Sequence, residues 1–162
     1  MGVKFNIDEI FEIAEQIERN GAAFYRKTAG STRAVHSQRV LNGLADMELQ
    51  HEKTFKAMRA KLARLPADAV AFDPQRDAAL YLQAFADGFV FPVNVNPADR
   101  LTGKESLEEI LRVAIVLEKD SIAFYVGIRE LVPAELGRDK IEAIIREEMS
   151  HVTLLSQERA QL

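Results

Sequence analysis

Residues 7–25 and residues 107–125 repeat one another at a shift of 100 positions, and this internal repeat narrows the possible folds more than any other feature. The two segments read IDEIFEIAEQIERNGAAFY and LEEILRVAIVLEKDSIAFY. The same shift, without a gap, places LADMELQHEKTF (44–55) on IIREEMSHVTLL (144–155). A fold built from two copies of one structural unit is therefore predicted.

Four long segments of the chain place apolar residues at steps of three and four, the spacing of one face of an α-helix. Two of these segments lie in each copy of the repeat, so each copy is predicted to be a helical hairpin, over about residues 7–63 and 106–161. The crossover between them, about residues 64–105, is long enough to span a bundle, so that the third long helix begins at the end where the second began. We therefore predict an all-α four-helix bundle that forms one domain over residues 1–162.

Residues typical of helix ends stand where these hairpins need them. Asn6 and Ser106 are predicted N-caps, and Glu109 follows Ser106 by three residues, the spacing of a capping box. Within the two hairpins, the segment AGSTR (29–33) and Pro133 are the predicted turns.

Two of the three histidines follow a glutamate by three residues, and they do so at equivalent places in the repeat, as Glu48 with His51 and Glu148 with His151. Residues three apart lie on one face of a helix, so each pair can direct a carboxylate and an imidazole to one point. Solvated residues on helix surfaces are the alternative interpretation. The repetition of the pair favours a metal site instead.

A second pair of glutamates, Glu18 and Glu118, is also repeated, and hairpin geometry predicts that all four glutamates lie at one level. Residue 33, in the first predicted turn, is midway between Glu18 and the glutamate of the first Glu-x-x-His motif. Pro133 is midway between Glu118 and the second such glutamate. Each arm then has about 15 residues, or roughly 22 Å at 1.5 Å per residue, which places the carboxylates near the middle of the bundle.

Four carboxylates in a bundle core repel one another and lose hydration, so they need a counter-charge or must take up protons. Two divalent cations balance them, since neutral imidazoles add no charge, and an oxide-bridged pair of ferric ions carries the same total charge. The chain has no cysteine, which excludes disulfides, thiolate zinc sites and cysteine-ligated iron–sulfur clusters. Carboxylate and imidazole ligands together are compatible with iron or manganese, whereas calcium or magnesium would not need the histidines.

In di-iron and di-manganese carboxylate bundles, two helices each supply a glutamate and two each supply Glu-x-x-His. On the motifs Glu18 with AAFY, ELQH at 48–51, Glu118 with IAFY, and EMSH at 148–151, the chain resembles the ferritin-like superfamily and most closely the erythrin domain of rubrerythrins. The resemblance covers the four long helices and implies a ferritin-like bundle that holds two iron ions. It also implies that the bridging ligands are Glu48 and Glu148 and the terminal ligands Glu18, His51, Glu118 and His151.

The chain departs from the rubrerythrin pattern in two respects. Rubrerythrins carry an additional glutamate three residues after the ligand of the third long helix, and Ser121 stands at that position here. The absence of cysteine excludes a rubredoxin domain. The first departure argues against redox-linked ligand exchange, and the second implies that a separate protein donates electrons.

Five further residues have a residue type or position that relates them to the site. Tyr25 and Tyr125 follow the repeated glutamates of their helices by two turns, so their hydroxyls are the predicted catalytic groups, which donate protons beside the metal ligands or relay electrons, with core packing as the alternative. Glu147 is a candidate for orienting a ligand histidine on a neighbouring helix. Glu15 is a weaker ligand candidate because its repeat counterpart is Ile, and His36 is predicted to lie on the surface near a helix start.

The crossover contains a short helical pattern, RDAALYLQAFADGF, and the aromatic residues Phe85, Phe89 and Phe91. These rings are predicted to cover the bundle or to form an interface between copies of the chain, and a substrate pocket is the alternative. We accordingly expect a homodimer or a higher homo-oligomer.

Charge and hydropathy limit the partners and the location of the protein. A net charge of −4, with both signs mixed along the chain, disfavours nucleic acid as a partner. No apolar run is long enough to span a membrane, and the first residues lack the apolar core of a signal peptide, so a cytoplasmic location is expected.

The predicted function is that of a di-iron oxidoreductase, which reduces hydrogen peroxide or dioxygen with electrons from the external donor. Three alternatives stay open at this point, because one fold supports many activities. They are a ferroxidase that handles iron, an oxygenase acting on an organic substrate, and a non-enzymatic helical interaction module.

Overall fold

The computed structural model describes residues 7–64, 77–85 and 96–162 of the chain. Within these ranges it contains helices and no strand. The predicted cap Asn6 and the aromatic residues Phe89 and Phe91 lie outside the described residues.

Four long helices and one short helix make up the described chain. The long helices are α1 (Ile7–Ser31), α2 (Val35–Leu62), α4 (Leu107–Leu131) and α5 (Arg138–Ala160). The short helix α3 (Asp77–Ala84) lies in the crossover, which also contains a 3-10 helix at Pro97–Arg100. None of the helices in the described ranges is both long and apolar enough to cross a membrane.

The ends of the helices lie where the sequence predicted them. Residues 32–34 join α1 to α2, and residues 132–137 join α4 to α5. The turn at Pro133 is confirmed, whereas α1 continues through Ser31, so only the last two residues of AGSTR lie in the first turn. Gly137 adopts φ of 109° in the second turn, a left-handed conformation that strains any residue with a Cβ. Ser106 caps α4 as predicted, since its hydroxyl accepts from the Glu109 N–H and the Glu109 carboxylate accepts from the Ser106 N–H.

The core is divided into two apolar clusters with a polar layer between them. The first apolar cluster includes Phe11, Phe55, Met58, Phe124, Ile128 and Ile141. The second apolar cluster includes Phe24, Leu41, Leu44, Leu111, Ala114 and Leu155.

The order of the two clusters along each helix reveals the direction in which the helix runs. Helices α1 and α5 pass from the first apolar cluster to the second, whereas α2 and α4 pass from the second to the first. Helix α4 therefore begins at the end of the bundle where α2 begins, as predicted from the long crossover. The repeated glutamates and histidines fall between the clusters on all four helices.

Helix α3 packs against α4 and covers one side of the bundle. The Tyr81 hydroxyl donates a hydrogen bond of 2.9 Å to the Ala123 carbonyl, and the rings of Phe85 and Phe124 lie 6.1 Å apart. A Cβ at Gly127 would come within 2.8 Å of Leu82, so glycine permits this close contact. Phe85 thus takes the bundle-covering role, one of the three uses considered for the aromatic rings of the crossover.

Candidate metal centre

The polar layer between the apolar clusters brings together all six residues that the sequence singled out as ligands. Each of the six is at most 4% exposed to solvent. They are Glu18 on α1, Glu48 and His51 on α2, Glu118 on α4, and Glu148 and His151 on α5. Every long helix contributes, because helical spacing aims the repeated positions inward at one level.

The six side chains form two overlapping groups, and within each group one ligand atom per residue lies within 4.8 Å of the others. The first position is formed by Glu18, Glu48, His51 and Glu148. The second position is formed by Glu48, Glu118, Glu148 and His151. Glu48 and Glu148 belong to both positions, so they stand where bridging carboxylates would.

Glu148 lies at the centre of this arrangement. Its Oε1 is 2.9 Å from Nδ1 of His51, and its Oε2 is 2.9 Å from Nδ1 of His151. The two imidazole rings are nearly parallel, at 18°, with their centroids 5.7 Å apart. Both rings therefore present Nδ1 to the carboxylates.

Several buried ligand atoms contact one another without forming a hydrogen bond of good geometry, which is uncommon for buried polar groups in folded proteins. These atoms are Oε2 of Glu18, Nδ1 of His51 and of His151, and both carboxylate oxygens of Glu148, while Nε2 of His151 has no hydrogen-bond partner at all. Oxygen and imidazole nitrogen atoms that converge in this way on two points fit a pair of cations better than they fit a packed core.

The pKa values of the carboxyl groups in the site shift in opposite directions, because burial and mutual repulsion raise them and the neighbouring imidazoles lower one of them. Burial and the nearby carboxylate of Glu48 raise the pKa of Glu18 and Glu118 well above the ordinary value. Burial also acts to raise the pKa of Glu148, but the two neighbouring imidazoles outweigh it and lower that pKa.

The histidines are shifted toward the charged form. Burial disfavours an imidazolium, but the carboxylates of Glu148 and Glu147 raise the pKa of His51 to about 9. Burial is likewise outweighed at His151, where Glu118 and Glu148 raise the pKa to about 12. Without cations, protons on imidazole and carboxyl groups therefore supply the counter-charge of the site.

Tyr25 and Tyr125 both donate to the glutamates of the site, and each does so across the repeat. The Tyr25 hydroxyl donates to Glu118, and the Tyr125 hydroxyl donates to Oε1 of Glu18 at 2.5 Å. Burial and the accepting carboxylates raise the pKa of both hydroxyls well above 10, so both remain protonated donors. The two tyrosines thus lie beside the ligand cluster, as one of the two predictions for them required.

The secondary candidates fall into different places. Glu147 reaches across from α5 and accepts from Nε2 of His51 at 2.8 Å, the orienting role considered for it. Glu15 is buried outside the cluster, beside the guanidinium groups of Arg19 and Arg59. His36 is largely exposed at the start of α2, as predicted.

A small cavity reaches the cluster between α1 and α4, under the 3-10 helix that begins at Pro97. Its volume is about 20 Å³, enough for roughly one water molecule. The lining comprises Ile17, Gly21, Tyr25, Glu48, Pro97, Leu117, Glu118 and Ser121. Ser121 donates to the Leu117 carbonyl at 3.1 Å, so its hydroxyl is held by the helix.

Gly21 is a position beside the ligand cluster that the sequence interpretation missed. A Cβ at this residue would lie 3.2 Å from Cδ of Glu48, so the glycine leaves room for a shared carboxylate of the site. The available signal was a glycine within a helix, where it costs roughly 1 kcal/mol relative to alanine.

Comparison with known proteins establishes the fold. No family model and no curated protein sequence matches the chain. Among solved structures, the chain is similar to one from Thermotoga maritima, determined at 2.30 Å resolution and proposed to be a ferritin-like diiron-carboxylate protein. The two share 19% sequence identity with a TM-score of 0.69, over 99% of this chain and 98% of that one. The chain therefore has the fold of a ferritin-like four-helix bundle.

Proposed function

We propose that this protein is a di-iron carboxylate oxidoreductase of the rubrerythrin type, which reduces hydrogen peroxide or dioxygen. The observation that carries the proposal is the pair of overlapping ligand groups that share Glu48 and Glu148. Two iron ions held side by side between common carboxylates could each supply one electron to a two-electron reduction. The similar structure from Thermotoga maritima, described as diiron-carboxylate, supports the same metal.

Iron suits this site for two reasons, the total charge of the ligands and the chemical type of the ligand atoms. Glu18 and Glu118 would each hold one ion together with the histidine of the same position, and Glu48 and Glu148 would be shared. Four carboxylates balance two ferrous ions, and imidazole nitrogen with carboxylate oxygen is a ligand set that suits iron or manganese. When bound, two ferrous ions supply the two electrons that convert hydrogen peroxide, with two protons, into two molecules of water.

The residues around the ligands hold protons and keep the site dry. The hydroxyls of Tyr25 and Tyr125 keep a proton at Glu118 and Glu18, two of the residues that would hold the cations. The apolar clusters above and below the polar layer exclude bulk water, which strengthens electrostatic interactions in the site. This setting favours proton delivery from fixed donors.

The size of the cavity favours a small oxidant over an organic substrate. A volume of about 20 Å³ beside Glu48 and Glu118 admits a molecule of the size of water or dioxygen. Pockets for larger ligands are usually about 300–1,000 Å³. The oxygenase alternative is therefore the weaker one for the part of the chain that the structure describes.

Electrons must come from a partner in this proposal. The chain has no cysteine for a rubredoxin centre of its own, so a separate protein is expected to donate electrons. Ser121 stands where rubrerythrins carry a further glutamate, and a serine held by its own helix makes a poor substitute ligand. Redox-linked ligand exchange at that position is therefore not part of the proposed cycle.

The second candidate is a ferroxidase, which oxidises ferrous ion and passes the ferric product on. The carboxyl groups of Glu48 and Glu118 line the cavity, so they offer oxygen ligands to a cation that enters from the surface. The two candidates differ in where the ferric ions go. A peroxide or dioxygen reductase keeps them, whereas a ferroxidase releases them to a store.

The proposal is tested by anaerobic titration of the metal-free protein with ferrous ion. Two ions per chain are expected, and the double variant Glu48→Ala with Glu148→Ala should lose both, whereas the control Glu142→Ala, on α5 outside the cluster, should keep both. The loaded protein should then react with peroxide faster than free ferrous ion and retain its iron after re-reduction. Oxidation no faster than that of free ferrous ion would rule out the oxidoreductase, and transfer of ferric ion to a chelator at each turnover would favour the ferroxidase.

A further inference from the structure

The two imidazoles of the metal centre differ in the hydrogen bonding of their outer nitrogen, Nε2, which is the ring nitrogen that does not face the carboxylates. Nε2 of His51 donates to Oε2 of Glu147 at 2.8 Å. Nε2 of His151 is buried and has no hydrogen-bond partner. The two metal positions are therefore not equivalent, although the chain repeats itself around them.

The difference traces to one pair of repeat positions. The shift of 100 residues that relates each ligand to its counterpart also relates Glu147 to Met47. The symmetry that places Glu147 on His51 would direct position 47 toward His151, and a methionine there supplies no carboxylate. Met47 is 37% exposed, so the position tolerates a polar side chain.

The outer nitrogen matters because each ring faces the cluster with Nδ1. Nδ1 of His51 lies 2.9 Å from Glu148, and Nδ1 of His151 lies at the same distance from the other oxygen of that carboxylate. To bind a cation through Nδ1, a neutral ring must carry its proton on Nε2. At His51, the Nε2–H group donates a hydrogen bond to Glu147. At His151, the Nε2–H group would be buried without an acceptor, which is energetically costly.

We infer that Glu147 is a positioning residue that makes the first position the tighter metal site, so that the two ions bind in sequence. A carboxylate on the far nitrogen of a ligand histidine fixes its tautomer and ring orientation and increases its basicity. Partners of this kind change metal affinity by about 10- to 100-fold. The inference rests on the proposed dinuclear centre and adds an order of filling to it.

The experiment is a stepwise anaerobic titration of the folded metal-free protein with ferrous ion, in which calorimetry measures the heat of each addition. The wild type should show two binding steps that differ in affinity. Glu147→Ala should weaken the tighter step about 10- to 100-fold and leave the other unchanged, and Glu147→Gln, which keeps an acceptor oxygen, should fall in between. Met47→Glu should strengthen the weaker step, because it supplies the missing carboxylate.

Matched controls separate positioning from general effects. Glu142→Ala removes a carboxylate from the same helix and Met47→Leu changes the side chain without adding an acceptor, and both should leave the two steps as in the wild type. Two bound ions whose affinities do not change in Glu147→Ala, or fall equally at both steps, would overturn the inference while leaving the dinuclear centre intact. Absence of tight binding in the wild type would instead overturn the proposed function, and the order of filling with it.

Discussion

Tyr25, on α1, donates its hydroxyl hydrogen bond to Glu118, on α4, rather than to a glutamate of its own helical hairpin. Tyr125 makes the reciprocal contact with Glu18. Each half of the repeat therefore completes the site of the other half. Removal of one tyrosine hydroxyl should therefore affect the glutamate of the opposite hairpin.

The substitution Tyr25→Phe tests this contact. It should lower the free energy of unfolding of the metal-free protein by about 1–2 kcal/mol, because Glu118 loses a buried donor. Two ferrous ions should still bind, but reaction with peroxide should slow about 10-fold or more. Urea unfolding, titration and rapid mixing measure the three effects.

Tyr81→Phe is the matched control, since the Tyr81 hydroxyl donates to a backbone carbonyl of α4 away from the cluster. It should leave the peroxide reaction unchanged. Equal reaction rates in Tyr25→Phe and the wild type would show that the hydroxyl plays no part in the chemistry.

The metal-free protein should lose stability as the pH rises. The folded-state pKa of His51, about 9, lies above the unfolded value of 6.5, so its stabilising contribution is complete below pH 6.5 and is lost as the pH passes through 9. The raised pKa values of His151, Glu18 and Glu118 act in the same direction. The lowered pKa of Glu148 acts only at acid pH, where stability is lost as the pH falls.

Urea unfolding between pH 6.5 and pH 9 measures this slope, which is about 1.4 kcal/mol per pH unit for each proton that the folded state holds in excess. Ferrous ions should replace those protons, so the loaded protein should gain stability over the metal-free protein as the pH rises, and a chelator should reverse the gain. A metal-free protein whose stability rises over this range would contradict the protonation described for the imidazoles.

Gly21→Ala should weaken metal binding without unfolding the protein. The added methyl group would lie 3.2 Å from Cδ of Glu48, so the shared carboxylate must move by a few tenths of an ångström. The control Gly43→Ala, also within a helix, adds its methyl group to open space and should stabilise the protein by up to about 1 kcal/mol. Ferrous titration and thermal unfolding of both variants distinguish the two effects, and unchanged affinity in Gly21→Ala would mean that Glu48 adjusts freely.

Gly127→Ala should loosen α3 and leave the metal centre intact. A Cβ there would lie 2.8 Å from both Leu82 and the ring of Tyr81, which forces the short helix away from α4. We expect a loss of about 1–3 kcal/mol of stability and faster proteolysis within the crossover, with two ferrous ions still bound. Unaltered proteolysis would show that the side chains of α3 adjust to the added methyl group without loosening the helix.

Much of the fold and the composition of the site was readable from the residues alone. Helical periodicity predicted the four long helices, and the spacing of glutamates around the turns predicted that Glu18 and Glu48 would lie at one level in the core. The repeat identified which glutamates and histidines to consider, because the same residue types recur at the same helical positions. These features depend on neighbours along one helix or one hairpin, and that information is local.

Only the tertiary structure decided how residues pair between helices. The periodicity of a helix determines which side chains share a face, but the rotation and packing of one helix against another determine which side chains meet. Tyr25 therefore reaches Glu118 across the repeat, Glu147 meets His51 with no equivalent contact at His151, and Gly21 comes to lie against Glu48. These contacts distinguish two groups of candidate ligands that the repeat alone makes look alike.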